Sequence, residues 1–112
     1  MKEFMFIFRN STKTAQPSPE EMQANMQLWM DWIDKLKAGD KYVGGEPLLP
    51  DGKLVKGANA TITDGPFTES KEIVGGYFIV QATSLEEATE MAKGSPDLST
   101  DGTVEVREIM KF

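Results

Sequence analysis

The chain has 112 residues, of which 39% are hydrophobic and 27% are charged, and its formal net charge at pH 7 is −6. This length and composition predict one globular domain spanning residues 1–112 and exclude an intrinsically disordered chain. The acidic balance, without any cluster of Lys and Arg, opposes binding to nucleic acid. No apolar run approaches the ~20 residues of a membrane span, so we expect no membrane partner and a cytoplasmic location.

Two residue types are absent, and their absence restricts the possible chemistry. The chain contains neither Cys nor His. It therefore has no disulfide, no thiolate nucleophile, and neither the usual general base nor the commonest metal ligand. Any catalysis would have to use carboxylates, Lys, Arg, Tyr, hydroxyls or backbone groups. We also expect no metal and no cofactor, because the acidic residues lack metal-loop spacing and the paired glycines form no phosphate-binding fingerprint.

The first predicted element is a strand over residues 3–10, which is apolar on both faces. A helix follows, with Ser18 as its N-cap, Pro19 in its first turn and Glu21 completing a capping box. It is predicted to run to about Ala38 and to end at Gly39. The residues expected to face the sheet are Met22, Met26, Trp29, Ile33 and Leu36, with Leu28 and Trp32 beside them.

The middle of the chain is predicted to contain short extended pieces and then a long strand. A turn at residues 50–53 separates two of the short pieces, and a third leads into Thr63. The strand over residues 72–83 is again apolar on both faces, with Ile73, Tyr77 and Ile79 on one and Val74, Phe78 and Val80 on the other. The Gly75-Gly76 pair inside it predicts a bulge or a close backbone approach.

A second helix and a last strand complete the chain. Ser84 is the predicted N-cap of the helix, with Glu87 in its capping box, and Gly94 ends it. Its inward residues are predicted to be Ala88, Met91 and Ala92. The last strand covers residues 103–112. The order β-α-β-β-α-β predicts an α+β fold of the ferredoxin-like split βαβ type, an antiparallel sheet with both helices on one face.

This arrangement leaves one apolar face of the sheet without cover. Four strands about 4.8 Å apart and ~17–20 Å long present roughly 350 Å². A continuous apolar patch of that size approaches the largest that monomers expose. We therefore expect a homodimer formed by sheet-to-sheet contact. The alternative is that the long connection between the second and third main strands folds over the sheet.

The charged loop "TDGPFTESKE" at residues 63–72 and the last strand suggest a ligand site. Asp64 and Phe67 suit a shaped turn without any function, since Asp accepts backbone hydrogen bonds and Phe can anchor the loop. If Val104 and Val106 pack on the helices, however, alternation directs Glu105 and Arg107 to the sheet-to-sheet side. A pocket there would have apolar walls and a few charges at its rim. The alternative explanation of Arg107 is an ion pair with the neighbours of Glu105 or with the carboxylates of the loop.

Residues 64–96, "DGPFTESKEIVGGYFIVQATSLEEATEMAKGSP", resemble the DGPF branch of the YCII-related family, and the closing "VEVREI" resembles the last strand of that family. The resemblance implies a ferredoxin-like subunit that dimerises into an α+β barrel. Members of the wider family resemble small-molecule enzymes built on a His–Asp pair, of which this chain can supply only the Asp, at Asp64. Glu69, Lys71, Glu72 and Arg107 match motif positions, without roles that carry over.

Two functions therefore remain open. In the first, the dimer holds a small organic ligand, most plausibly an anion, without catalysis, and Glu69, Lys71 and Arg107 contact it. In the second, the protein is an enzyme in which Asp64 transfers a proton without a His partner. An unperturbed Asp, with a pKa of ~3.9, is a weak base at neutral pH. Arg107 suits a carboxylate ligand, because its fork matches both oxygens.

Overall fold

We describe the protein from a computed structural model, which describes residues 1–11, 18–49, 51–65, 72–99 and 102–111. Of residues 10, 11, 64, 65, 72 and 73, only the backbone is described. Along this part of the chain the elements are β1 (Lys2–Ser11), α1 (Pro19–Ala38), β2 (Tyr42–Pro47), β3 (Gly52–Lys56), β4 (Thr61–Gly65), β5 (Glu72–Ala82), α2 (Leu85–Ala92), a 3-10 turn (Pro96–Ser99) and β6 (Thr103–Glu108).

Four of the strands form one antiparallel sheet with the order β2-β5-β1-β6. The other two, β3 and β4, pair with each other in a separate hairpin. Residues of both helices share a buried core with one face of the four-stranded sheet. The predicted α+β class is therefore confirmed. Of the three short extended pieces predicted in the middle of the chain, the first is β2 and the other two are the strands of the hairpin, while Gly52 and Lys53, predicted to lie in a turn, begin β3.

Both helices begin at the residues that the sequence predicts. The Ser18 hydroxyl oxygen accepts a hydrogen bond from the Glu21 backbone N–H at 3.1 Å. The Ser84 hydroxyl does the same for the N–H of Glu87, also at 3.1 Å. These contacts satisfy backbone donors that the first helical turn cannot satisfy itself. Helix α1 ends at Ala38, with Gly39 as its C-cap, as predicted.

The core is a cluster of aromatic side chains between the sheet and α1. Phe6 stacks on Trp32 with ring centroids 6.1 Å apart, and Trp32 lies 5.3 Å from Phe78. Phe8 contacts Trp29 and Phe78 edge to face at 5.0 Å. Edge-to-face and offset contacts of this kind stabilise aromatic pairs beyond the area that they bury. On the side of α2, Ala88 and Ala92 are buried as predicted.

The inward face of α1 differs from the prediction at its N-terminal end. Met22 and Met26 are exposed, whereas Trp32, predicted to lie beside the stripe, is buried at its centre. Trp29 and Leu36 face the core as expected. The stripe is therefore rotated toward Trp32 and confined to the C-terminal half of the helix. Helical spacing predicts a stripe along all 20 residues of α1, but it does not say which part of that length lies over the sheet.

A bulge in β5 confirms the prediction made from its two glycines. In the pairing of β1 with β5, Phe8 lies opposite Gly76 and Arg9 lies opposite Val74, so Gly75 is the extra residue. Directly paired residues share a face of the sheet. Val74 therefore lies on the face of Arg9, and the prediction that it shares a face with Phe78 is wrong, because the bulge breaks the alternation.

The β3–β4 hairpin does not cover the sheet. The molecule measures only 18 Å in its thinnest direction, which accommodates the sheet and one layer of helices but not a second sheet about 10 Å beyond. The Cα radius of gyration is 15.7 Å, compared with about 13 Å for a compact chain of this length. The alternative that the connection between β2 and β5 folds over the sheet is therefore wrong for the hairpin, while residues 66–71 lie outside the described residues.

Gly45 lies on β2 where no space is left for a side chain between β2 and β5. A Cβ atom at Gly45 would lie 2.4 Å from the Tyr77 carbonyl oxygen and 2.5 Å from Phe78 Cδ1, whereas one at Gly44 would meet nothing within 4 Å. We expect Gly45→Ala to lower the free energy of unfolding by about 1–3 kcal/mol, because the strands must separate. Gly44→Ala should change it by less than about 0.5 kcal/mol. Urea denaturation of both variants measures this, and equal effects would contradict the close approach.

Candidate functional site

The face of the sheet opposite the helices carries an apolar strip along its two central strands. We define this helix-free face by Met5 and Ile7 of β1 and Tyr77 and Ile79 of β5. In the register, Met5 lies opposite Ile79 and Ile7 opposite Tyr77. All four side chains are half-buried, and none belongs to the core shared with the helices. The sequence prediction that both central strands are apolar on both faces is confirmed.

One edge of the helix-free face carries an ion-pair cluster. Arg9 Nη1 lies 2.5 Å from Glu105 Oε1, and Arg107 Nε lies 3.9 Å from Glu105 Oε2. Arg107 lies opposite Met5 and Glu105 opposite Ile7, so both charges are beside the apolar strip. Two guanidinium groups share one carboxylate, and the cluster has a formal charge of +1 in a chain with a net charge of −6.

The orientation of β6 follows from its alternation, as predicted. Val104 and Val106 pack against the core, so Glu105 and Arg107 point to the opposite side of the sheet. The Arg107 side chain is 71% exposed, compared with 32% for that of Arg9. Arg107 is therefore the more accessible of the two guanidinium groups, although it also takes part in an ion pair, with Glu105 itself.

The opposite edge of the face carries an acid, Glu46. Glu46 of β2 lies opposite Tyr77 in the register, and therefore on the helix-free face. Burial raises the pKa of the nearby Tyr42 phenol, and the Glu46 carboxylate and Tyr77 raise it further. Tyr42 packs edge to face on Phe78 at 5.2 Å and stays protonated at neutral pH. Tyr42 belongs to the core side of β2, so the apolar strip lies between a cationic edge on β6 and the acidic Glu46 on β2.

The structure separates the site residues that the sequence suggested. Asp64 lies on β4, where its backbone pairs with Lys53, and its side chain is not described. Glu69 and Lys71 lie outside the described residues, so their predicted contacts stay predictions. Arg107 pairs with Met5, whereas Glu72, at the start of β5, pairs with Ser11. Met5 and Ser11 are six positions apart on β1, which corresponds to about 20 Å. Within one subunit Arg107 is therefore far from Glu72, the end of the charged loop at residues 63–72 (the DGPF loop).

Arg9 is the residue that the sequence reasoning missed. It lies opposite Val74, two positions from the start of β5, and is therefore nearer than Arg107 to the end of the DGPF loop. Alternation from Met5 and Ile7 would have placed it on the helix-free face. No local pattern predicts its ion pair, because its partner Glu105 is 96 positions away in the chain.

The described parts of the chain lack two features. There, no three carboxylate-bearing side chains come together in a way that could hold a metal ion. Among the helices described, none is both long enough and apolar enough to cross a membrane.

Comparison with known proteins decides the family. The model of the YCII-related domain matches residues 3–112. The chain belongs to the YCII-related family. This confirms the resemblance at the level of the family, while membership of its DGPF branch stays a prediction.

Two individual proteins are also similar to this YCII-related chain. An uncharacterized protein, R00369, of Rhizobium meliloti (strain 1021) is 30% identical over 83 residues, which cover 64% of this chain and 67% of that protein. A solved structure of 5-chloro-2-hydroxyhydroquinone dehydrochlorinase from Burkholderia phenoliruptrix AC1100, in complex with 2,5-dihydroxybenzoquinone, covers 97% of this chain and 95% of its own, with 20% identity and a TM-score of 0.49.

The ion pair between Arg9 and Glu105 can be compared with a more exposed pair on the same two strands. Lys2 Nζ lies 4.0 Å from Glu108 Oε1, and both side chains are at least half exposed. In double-mutant cycles with Arg9→Met and Glu105→Gln, we expect a coupling of about 0.5–1 kcal/mol, because the pair is shorter and less exposed. The corresponding cycle with Lys2→Met and Glu108→Gln should give about 0–0.3 kcal/mol. Thermal unfolding measures both, and equal couplings would show that the Arg9–Glu105 geometry contributes nothing special.

Proposed function

We propose that this YCII-related protein is a homodimer that binds a small organic anion between two helix-free faces. In this proposal each subunit is ferredoxin-like, and the two sheets stack into an α+β barrel. The strand order β2-β5-β1-β6, with both helices on one face, supports the first part. The single observation that carries the second part is the apolar strip bordered by the Arg9–Glu105–Arg107 cluster.

The apolar strip supports a site that closes by dimerisation. Small-molecule sites are concave and mostly apolar, with a few polar groups that fix the orientation of the ligand. One helix-free face supplies the apolar floor and the polar edges, but it is open on one side. A second copy would supply the other wall, and it would also remove the exposed apolar side chains from water.

The charges support an anionic ligand. Glu105 neutralises only one of the two guanidinium groups beside it, so the cluster retains a positive charge. Arg107 is the better placed to receive a ligand, because it is the more exposed and lies 3.9 Å from Glu105. A guanidinium group binds a carboxylate through two parallel hydrogen bonds. A neutral amide in place of the carboxylate carries no charge and offers only one acceptor oxygen, so it binds less tightly. The expected ligand is therefore a small carboxylate with an apolar body.

Binding of benzoate and benzamide to the full chain tests this recognition. Isothermal titration calorimetry should show that Arg107→Met weakens binding of benzoate about tenfold, because a charge-assisted hydrogen bond is lost. Binding of benzamide should change less than about twofold. Glu105→Gln should instead tighten benzoate binding, because it removes the competing carboxylate. Lys93→Met is a matched control, since Lys93 pairs with Glu90 on α2, an element that packs on the other face of the sheet.

Three results would decide between the alternatives. Equal loss of benzoate and benzamide in Arg107→Met would refute a recognition role for that residue. Failure of the wild type to bind a panel of small carboxylates would contradict the proposed function as a whole. Turnover of any bound acid that is lost in Asp64→Asn, with binding retained, would favour the enzyme with Asp64 as its proton-transfer group.

A further inference from the structure

The β3–β4 hairpin exposes a pair of branched apolar side chains. Val55 and Ile62 lie directly opposite each other in its register, and they are 59% and 66% exposed. On the other face, Leu54 and Thr63 are also paired but half-buried, and the Thr63 hydroxyl oxygen is shielded from solvent. The hairpin therefore has one sheltered face and one uncovered apolar face.

An uncovered hairpin of this kind is unusual for physical reasons. A two-stranded hairpin is at best marginally stable in water unless a third strand or another layer packs on it. Within the described residues this hairpin is a two-stranded sheet without a third strand, and its Val55–Ile62 face is exposed. The molecule measures 44 × 43 Å in the plane and only 18 Å across. A packing layer for its exposed face must therefore come from outside the described residues.

We propose that the β3–β4 hairpin is an arm whose Val55–Ile62 face packs on a second copy of this chain. This inference rests on the proposed homodimer and adds to it a second contact, outside the two helix-free faces. In a two-fold dimer each subunit gives one arm and receives one, so the same pair of residues is buried twice.

The area available for dimerisation identifies the occupant. The four strands, of 6, 11, 10 and 6 residues, give a helix-free face of roughly 500 Å² per subunit, which is below the ~800 Å² per partner of a standard stable interface. Side chains add to this flat area, but sheet-to-sheet contact alone still makes a small interface. The hairpin projects from the same subunit and offers the further apolar surface that a stable dimer needs. The arm therefore supplies contact area that the dimer requires, and its partner is a second copy of this chain.

Sedimentation equilibrium of the full chain tests the arm. We expect the double variant Val55→Ser/Ile62→Ser to raise the dimer dissociation constant at least about 100-fold, because four apolar side chains per dimer lose their burial. The matched control is Met22→Ser/Met26→Ser, which removes two equally exposed apolar side chains from α1. The control should change the constant by less than about threefold. Circular dichroism checks that both variants retain the fold.

Hydrogen exchange of the wild type provides a measurement that needs no variant. Backbone amides of β3 and β4 should be protected above the dimer dissociation constant and should lose protection on dilution below it. Protection that does not depend on concentration would overturn the arm.

The outcomes for the arm and for the dimer are separable. A wild-type dimer with an unchanged constant in the Val55→Ser/Ile62→Ser variant would overturn the arm and leave the dimer in place. A wild type that is monomeric at about 100 μM, well above the micromolar constants of ordinary weak complexes, would contradict the dimer and the arm together.

Discussion

Both central strands of this protein are apolar on both faces, while two helices can cover only one. Phe4, Phe6 and Phe8 of β1 are buried under the helices, and Met5 and Ile7 alternate with them on the other side. Strand β5 repeats the pattern. Burial of the first set supplies the core, and the second set is left where only another layer of protein or a ligand can remove it from water. The proposed dimer and ligand site are both consequences of that asymmetry.

Local sequence signals predicted the parts of the fold that depend on local chemistry. The two Ser N-caps, the bulge at Gly75 and the outward direction of Glu105 and Arg107 each follow from hydrogen bonding or alternation within a few residues. The burial of Trp32 in place of Met22 and Met26 did not follow, because it depends on where α1 crosses the sheet. Helical spacing gives a stripe but does not say how much of its length another element covers.

The candidate site was only partly predictable for a similar reason. Arg107 could be placed on the helix-free face by alternation from Val104 and Val106. Its distance from the DGPF loop depends on the register of β1 with β5 and β6, which no short motif specifies. The pairing of Arg9 with Glu105 depends on the same register. The sequence thus identifies residue types suited to an anion, while strand pairing decides which of them lie together.

The hairpin shows where length and composition were insufficient. Its strands were recognised as extended pieces, but their pairing with each other and their separation from the main sheet were not. An exposed pair such as Val55 and Ile62 has the same pattern as a strand that packs on a core, because alternation does not reveal which chain provides the cover.

Covering of the helix-free face by a second copy is the central claim, and isotope-filtered nuclear Overhauser spectroscopy on a mixture of labelled and unlabelled chains tests it directly. Contacts between chains should appear at the methyl groups of Ile7 and Ile79. They should be absent at Ile33, which packs against the core under the helices. A spectrum without any contact between chains at Ile7 and Ile79, recorded at a concentration where the protein is fully associated, would contradict the account.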